Sequence, residues 1–150
     1  MIEKIGRNAN MTVSFADSPE DIPLPPLGAG ETKTDVYGGG HFILRRWGFD
    51  TLSQIRTILH RWCLDRLETI YLYLPLSQPF TATLCQDIEA MGFFFSGVIP
   101  GRAGEDWLVL QYLNNQRYDY GRIKSASPFG QELIDYVRDC DPTLMEIFEK

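Results

Sequence analysis

Between residues 70 and 113 the chain reads IYLYLPL, then SQPFTATLCQDIEAMGF, then FFSGVIPG, a short polar loop and WLVLQYL. The order is strand, helix, strand, hairpin loop, strand. Residues 70–76 mix β-branched and aromatic side chains and are punctuated by Pro75; a run so short and apolar fits a strand buried on both faces. Ser77 is placed to cap the helix, and Pro79 falls in its first turn, where a missing N–H costs nothing. Phe80, Leu84, Ile88 and Met91 recur at helical spacing as the expected buried stripe, with Gln86, Asp87 and Glu89 off it. Gly92 stops the helix because it accepts a positive φ without strain. Residues 93–98 and 107–113 are strand-like, and Gly101, Gly104 and the charges between them mark the hairpin.

Upstream, HFILRRW at 41–47 alternates as a strand, with Phe42, Leu44 and Arg46 on one face and Ile43, Arg45 and Trp47 on the other. Gly48 ends it. Asp50 or Thr51 caps a helix, and Thr51 with Gln54 has capping-box spacing. Leu52, Ile55, Ile58, Leu59, Trp62, Cys63 and Leu67 form its apolar stripe; Arg56, His60, Arg61 and Asp65 are mostly on the wet side. Return to the strand at 70 makes a right-handed βαβ crossover. After a turn at Asn114-Asn115, the tyrosine-rich stretch 116–127 reads as an ordered loop or short strand. Ser127 caps a last helix with Pro128 at its first position, and Phe129, Leu133, Tyr136, Val137 and Cys140 face inward. Residues 143–150 are a short helix or a frayed end. The fold class is therefore α/β (α+β), a mixed sheet in β-α-β-α-β-β-α order with helices on its faces.

Residues 1–35 contrast with this. SPEDIPLPPLGAGETKT holds four prolines and two glycines, which neither a helix nor a central strand tolerates. The expectation is a flexible segment at 1–35 ahead of one domain at 36–150, with MTVSF at 11–15 as a short candidate strand.

Composition narrows the function classes. The chain has 150 residues, 44% hydrophobic and 23% charged, enough for one domain with a core. Its apolar runs are too short to span a bilayer, and no apolar stretch follows Lys4 and Arg7 as a secretory signal requires. The expectation is a cytoplasmic protein without a membrane partner. A net charge of −6 argues against nucleic acid, whose binding rests on neutralising phosphates. Cys63, Cys85 and Cys140 are odd in number, far apart and without a CxxC, so neither a disulfide framework nor a zinc site is expected. Cys63 and Cys85 suit a helix core. With only His41 and His60 there is no HExxH, and Ser96-Gly97 lacks the preceding glycine of a nucleophile elbow. The glycine run 38–40 precedes a strand rather than a helix and reads as a turn, not a phosphate cradle. Glu105-Asp106 belongs to a solvated loop, and Tyr112, Tyr118 and Tyr120 to core or loop packing.

The unit at 70–113, with Gly92-Phe93 after its helix, resembles the C-terminal half of the GNAT family of N-acyltransferases. More closely, "LPLSQPFTATLCQDIEAMGFFFSG", "LQYLNN" and "SPFGQELIDYV" resemble a GNAT-like domain at the C-terminal end of some multidomain bacterial proteins; the likeness covers roughly residues 36–140. It implies a GNAT-like fold lacking the first two helices and one or more early strands, unless residues 1–35 supply part of them. It also implies an acyl-CoA site, for acetyl-CoA or another acyl-CoA, between the strands at 41–47 and 70–76. The family holds the pyrophosphate on a Gln/Arg-x-x-Gly-x-Gly/Ala loop whose N–H groups and helix dipole face the phosphates. The matching residues are Arg45 to Asp50, with Leu44, Arg45, Arg46 and Gly48 as cofactor-binding candidates. Only Gly48 keeps the glycine pattern, and Asp50 puts a negative charge where phosphate would sit. The family's general-acid tyrosine lies in Asn-x-x-Ala-x-x-Leu-Tyr; aligned by the Leu, this chain has Gln78, Thr81, Leu84 and Cys85, so Cys85 is the catalytic candidate. These departures lead to the expectation of a degenerate, non-catalytic module for ligand sensing or protein interaction within a regulatory protein. The alternative is an active acyl-CoA-dependent N-acyltransferase with a divergent cofactor loop. Expected partners are another domain or protein, or a second copy pairing through an exposed strand edge as a homodimer.

Overall fold

The computed structural model describes residues 1–8, 14–16, 23–101 and 105–147. The element order is α1 (Ile2–Asn8), β1 (Ala29–Thr34), β2 (Gly39–Arg46), α2 (Thr51–Leu64), β3 (Thr69–Pro75), α3 (Phe80–Glu89), β4 (Phe94–Ile99), β5 (Trp107–Leu113) and α4 (Pro128–Cys140). Short 3-10 turns lie at Tyr120–Arg122 and Pro142–Ile147. Five strands form one mixed sheet in the order β1-β2-β3-β5-β4. β2 and β3 are parallel; the other neighbours are antiparallel. This is the mixed α+β sheet expected from the sequence.

One face carries the main core. Gly40 and Phe42 of β2 pair in register with Ile70 and Leu72 of β3, and Ile70, Leu72 and Leu74 pair with Tyr112, Leu110 and Leu108 of β5. Phe42, Leu44, Ile70, Leu72, Leu74, Leu108 and Leu110 are all buried. Trp62 of α2 lies against Gly40, where a Cβ would come within 2.6 Å of the indole, so the ring occupies the space a side chain would need. The opposite face, with His41, Ile43, Tyr71 and Tyr73, is half-exposed.

The N-terminal segment differs from expectation. β1 pairs with β2 from Ala29 to Thr34, and Ile2 of α1 joins the core. Lys4 of α1 pairs with Glu132 of α4. β1 escapes a pattern search because its residues after Ala29 are exposed; its pairing is a backbone matter. Of the candidate strand at 11–15, residues 11–13 lie outside the described residues. Ser14 and Phe15 are not in a strand, although the Ala16 N–H donates to the Leu76 carbonyl at 3.0 Å.

The buried positions of α3 are Thr81, Cys85 and Ile88, one step round from the expected stripe; Phe80, Leu84 and Met91 flank it, partly buried. Pro79, not Ser77, is its N-cap. Gly92 ends it with φ +106°. Ser127 caps α4 by accepting the Gly130 N–H at 2.9 Å. No α4 residue is fully buried, and Tyr136 is 38% exposed. The hairpin loop at 102–104 lies outside the described residues, but Gly101 N–H donates to Asp106 Oδ1 at 2.9 Å across its base. Among the described residues, no helix is long and apolar enough to cross a membrane.

Candidate functional site

The β2–β3 ladder ends at Ile43–Tyr73, although β2 runs on to Arg46 and β3 to Pro75. The gap beyond is the place the GNAT resemblance gives to the acyl-CoA arm. Side chains from the connection between β3 and α3 close it. Gln78 Nε2 donates to the Arg45 carbonyl at 2.7 Å, and Gln78 Oε1 accepts the Trp47 N–H at 3.1 Å. A primary amide offers one donor group and one acceptor, so Gln78 serves the two backbone groups that a continuing strand would have served. Trp47, fully buried, donates its indole N–H to Thr81 Oγ1 at 2.9 Å, and the Thr81 hydroxyl donates to the Pro75 carbonyl at 2.6 Å.

The start of α2 is occupied by the chain itself. Gly48 N–H donates to Thr51 Oγ1 at 2.8 Å and Phe49 N–H to the Pro25 carbonyl at 2.9 Å. Asp50 Oδ1 accepts the Gly28 N–H at 2.7 Å, and its Oδ2 accepts the Gln54 side chain at 2.7 Å. A Cβ on Gly48 would lie 2.0 Å from the Gly28 nitrogen, so the two backbone segments touch. A helix N-terminus holds an anion through N–H groups that lack another acceptor. Here the Gly48 and Phe49 N–H groups leading into α2 and the Thr51 N–H at its first position are already bonded, and the Asp50 carboxylate stands beside them.

The sequence candidates have separate environments. Leu44 is fully buried in the core. Arg45 pairs with Glu31 at 3.0 Å and lies 5.5 Å over the Trp107 ring. Arg46 Nε donates to the Leu27 carbonyl at 3.3 Å. Successive strand residues point to opposite faces, so the two arginines do not form one anion clamp. Gly48 is the contact point with Gly28. Cys85 lines a half-open cavity of about 380 Å³ that includes none of Leu44, Arg45, Arg46 or Gly48.

That cavity is walled by α1, α3, β4 and α4. Cys85 Sγ lies 3.7 Å from Glu89 Oε1. Burial, followed by the Glu89 carboxylate, pushes the Cys85 thiol up to about 12, which keeps it protonated near neutral pH. Cys140 and Tyr136 share the cavity and are likewise raised, burial being the main cause. Tyr136 meets Phe95 edge-on, with ring centroids 5.1 Å apart.

A second polar grouping sits on the half-exposed face of the sheet. His41 Nε2 contacts Asp35 Oδ2 at 2.8 Å, and His41 Nδ1 contacts the Tyr73 hydroxyl at 2.7 Å. The His41 hydrogen bond, then the Gly39 and Tyr37 N–H groups, hold Asp35 below the usual carboxylate value. This chain ties the β1–β2 turn to β3. Among the described residues, no group of three or more His, Cys, Asp or Glu side chains is arranged to hold a metal ion.

Gln78 and Thr81 already stood in the pattern aligned with the family's helix, but their bonds to β2 required the fold. Glu89 lies one helical turn after Cys85, a spacing visible in the sequence, whereas Tyr136 and Cys140 come from a distant helix. Neither protein-family models nor curated proteins give a match to the chain.

Proposed function

We propose that this chain is a degenerate, GNAT-like module that binds a ligand or a protein partner in a cytoplasmic setting and transfers no acyl group. The observation that carries this reading is the closed gap between β2 and β3, where Gln78 takes the Arg45 carbonyl and the Trp47 N–H. An acyl-CoA arm entering there would have to displace two protein hydrogen bonds and the buried Trp47 ring. Its pyrophosphate would meet the Asp50 carboxylate and N–H groups that are already bonded. The raised thiol of Cys85 supports the same reading, because it is packed in a cavity separate from that gap.

Isothermal titration with acetyl-CoA tests the proposal, with free CoA and ATP as controls. The expected result is no saturable binding up to about 1 mM, equivalent to a binding free energy weaker than about −4 kcal/mol. Micromolar binding that is lost on Arg46→Glu would overturn it in favour of an active N-acyltransferase.

A further inference from the structure

We propose that the cavity between α1, α3, β4 and α4 is a binding site for a small uncharged aromatic ligand. The inference rests on the reading of the chain as a binding module and names the ligand class that this second site takes. At about 380 Å³ the cavity falls within the range of small-molecule sites. It is well over twice the ~150 Å³ that accepts a benzene ring, which suits a two-ring body. Ile2, Phe93, Phe95 and Leu108 provide an apolar lining, and all four are buried. Phe95 and Tyr136, edge-on in the wall, offer a further ring the same edge-to-face packing.

The wall favours neither charge nor hydrogen bonding in what it holds. Its charged groups are the Glu89 carboxylate and the Met1 ammonium, of opposite sign, and among the described residues no other ionised group lines the cavity. An anion or a cation therefore meets one attractive and one repulsive group, with no net attraction to offset the hydration it gives up. The remaining polar groups are neutral and already partnered. The Cys85 thiol donates to Glu89 Oε1 at 3.7 Å, and Tyr136 and Cys140, one turn apart on α4, partner each other. Among the described residues, no buried side-chain nitrogen or oxygen lacks a partner. A cavity holds water firmly only where polar groups offer it about two to four bonds. Water against Phe93, Phe95 and Leu108 is held weakly, and an apolar ring that displaces it gains affinity.

Three indoles of similar shape test the assignment: 3-methylindole, tryptamine and indole-3-acetate. In titrations of the full chain followed by amide NMR shifts, 3-methylindole should bind saturably, with changes at Cys85, Phe95 and Leu108. Tryptamine and indole-3-acetate should each bind at least threefold more weakly. Cys140→Phe, which puts a ring into the cavity from a half-buried position, should lower the 3-methylindole affinity at least tenfold. In the wild-type chain, whatever the folding of that variant, 3-methylindole should slow alkylation of Cys85 without slowing that of Cys63. No saturable binding of 3-methylindole, a charged indole that binds within threefold of it, or alkylation of Cys85 unchanged at saturation would each overturn the assignment, as would unchanged affinity in a folded Cys140→Phe. These outcomes are independent of the acetyl-CoA titration, since the cavity includes none of the residues tested there.

Discussion

Replacing Gln78 by alanine removes one side chain and two hydrogen bonds, at 2.7 Å to the Arg45 carbonyl and 3.1 Å from the Trp47 N–H. Each such bond contributes about 0.5–1.5 kcal/mol net, so the expected loss is about 1–3 kcal/mol. The Trp47 N–H should account for the larger share, because it is attached to a fully buried residue, whereas the exposed end at Arg45 is readily hydrated. With a urea slope of about 2 kcal/mol/M, the midpoint falls by about 0.5–1.5 M with the slope unchanged. Gln78→Glu sharpens the test. Its carboxylate still accepts from Trp47 but faces the Arg45 carbonyl without a proton, so its folded-state pKa should lie above the ordinary ~4.3. The variant is then weakest above that folded-state pKa and recovers toward wild type as the pH falls through it, because the acid form can donate to Arg45. Urea titrations of wild type and both variants at pH 7 and pH 4.5 read this directly. A Gln78→Ala loss below about 0.5 kcal/mol, less than one net hydrogen bond, or a Gln78→Glu penalty that is the same at both pH values, would refute the clasp.

Three further outcomes follow from the polar contacts. Tyr120→Phe removes the hydroxyl that donates to Oδ2 of buried Asp141 at 2.7 Å, while the Thr143 N–H and hydroxyl donate to its Oδ1 at 2.9 and 2.7 Å; the loss should cost about 1.5–3 kcal/mol in urea unfolding, the range for a hydrogen bond to a charged group, and a neutral result would show that Thr143 alone satisfies the carboxylate. At pH 8, Cys85 should react with iodoacetamide roughly a thousandfold more slowly than an unhindered thiol, because its raised value leaves little thiolate; labelling at the free-thiol rate would contradict the burial. Asp35 has a folded-state pKa below its ordinary 3.8, so its contribution to stability is complete above that value and is lost as the pH falls through the depressed one. Stability measured against pH for wild type and Asp35→Asn should therefore converge below pH 3.8; a gap of constant size at pH 3 and pH 6 would remove Asp35 from the acid response.

The elements with a strong apolar signal were legible in the sequence. β5 has the expected bounds, β2 and β3 are displaced by one or two residues at each end, and α2 stops at Leu64, three residues short of Leu67, the last residue of its expected stripe. What escaped was structure held by polar or backbone contacts. α3 turns Thr81 inward because its hydroxyl has two partners, Trp47 and Pro75; a search for apolar periodicity counts only Phe80, Leu84, Ile88 and Met91. Asp50 and Thr51 were recognised as helix-start residues, yet Thr51 bonds to Gly48, and Asp50 reaches Gly28. The gap was locatable from the resemblance, but its closure was not, because Gln78 meets Arg45 across 33 positions of sequence. The cavity is similarly assembled from distant segments, and only the Cys85–Glu89 spacing was local.

β1 has a consequence for how the chain can be shortened. Cutting at the expected boundary near residue 35 would remove a whole strand and the Gly28 contact with Asp50, not a dispensable tail. β2, an interior strand, would become the rim of the sheet, with the backbone groups from Gly40 to Arg46 that had faced β1 left without partners. Its sequence there, HFILRR, begins with the apolar run that makes an uncovered strand prone to self-association. β1 instead presents Glu31 and Lys33 outward, charges that another strand could cover only at a cost. The outermost strand therefore acts as a gatekeeper, shielding the sheet's most adhesive segment with one of its least hydrophobic.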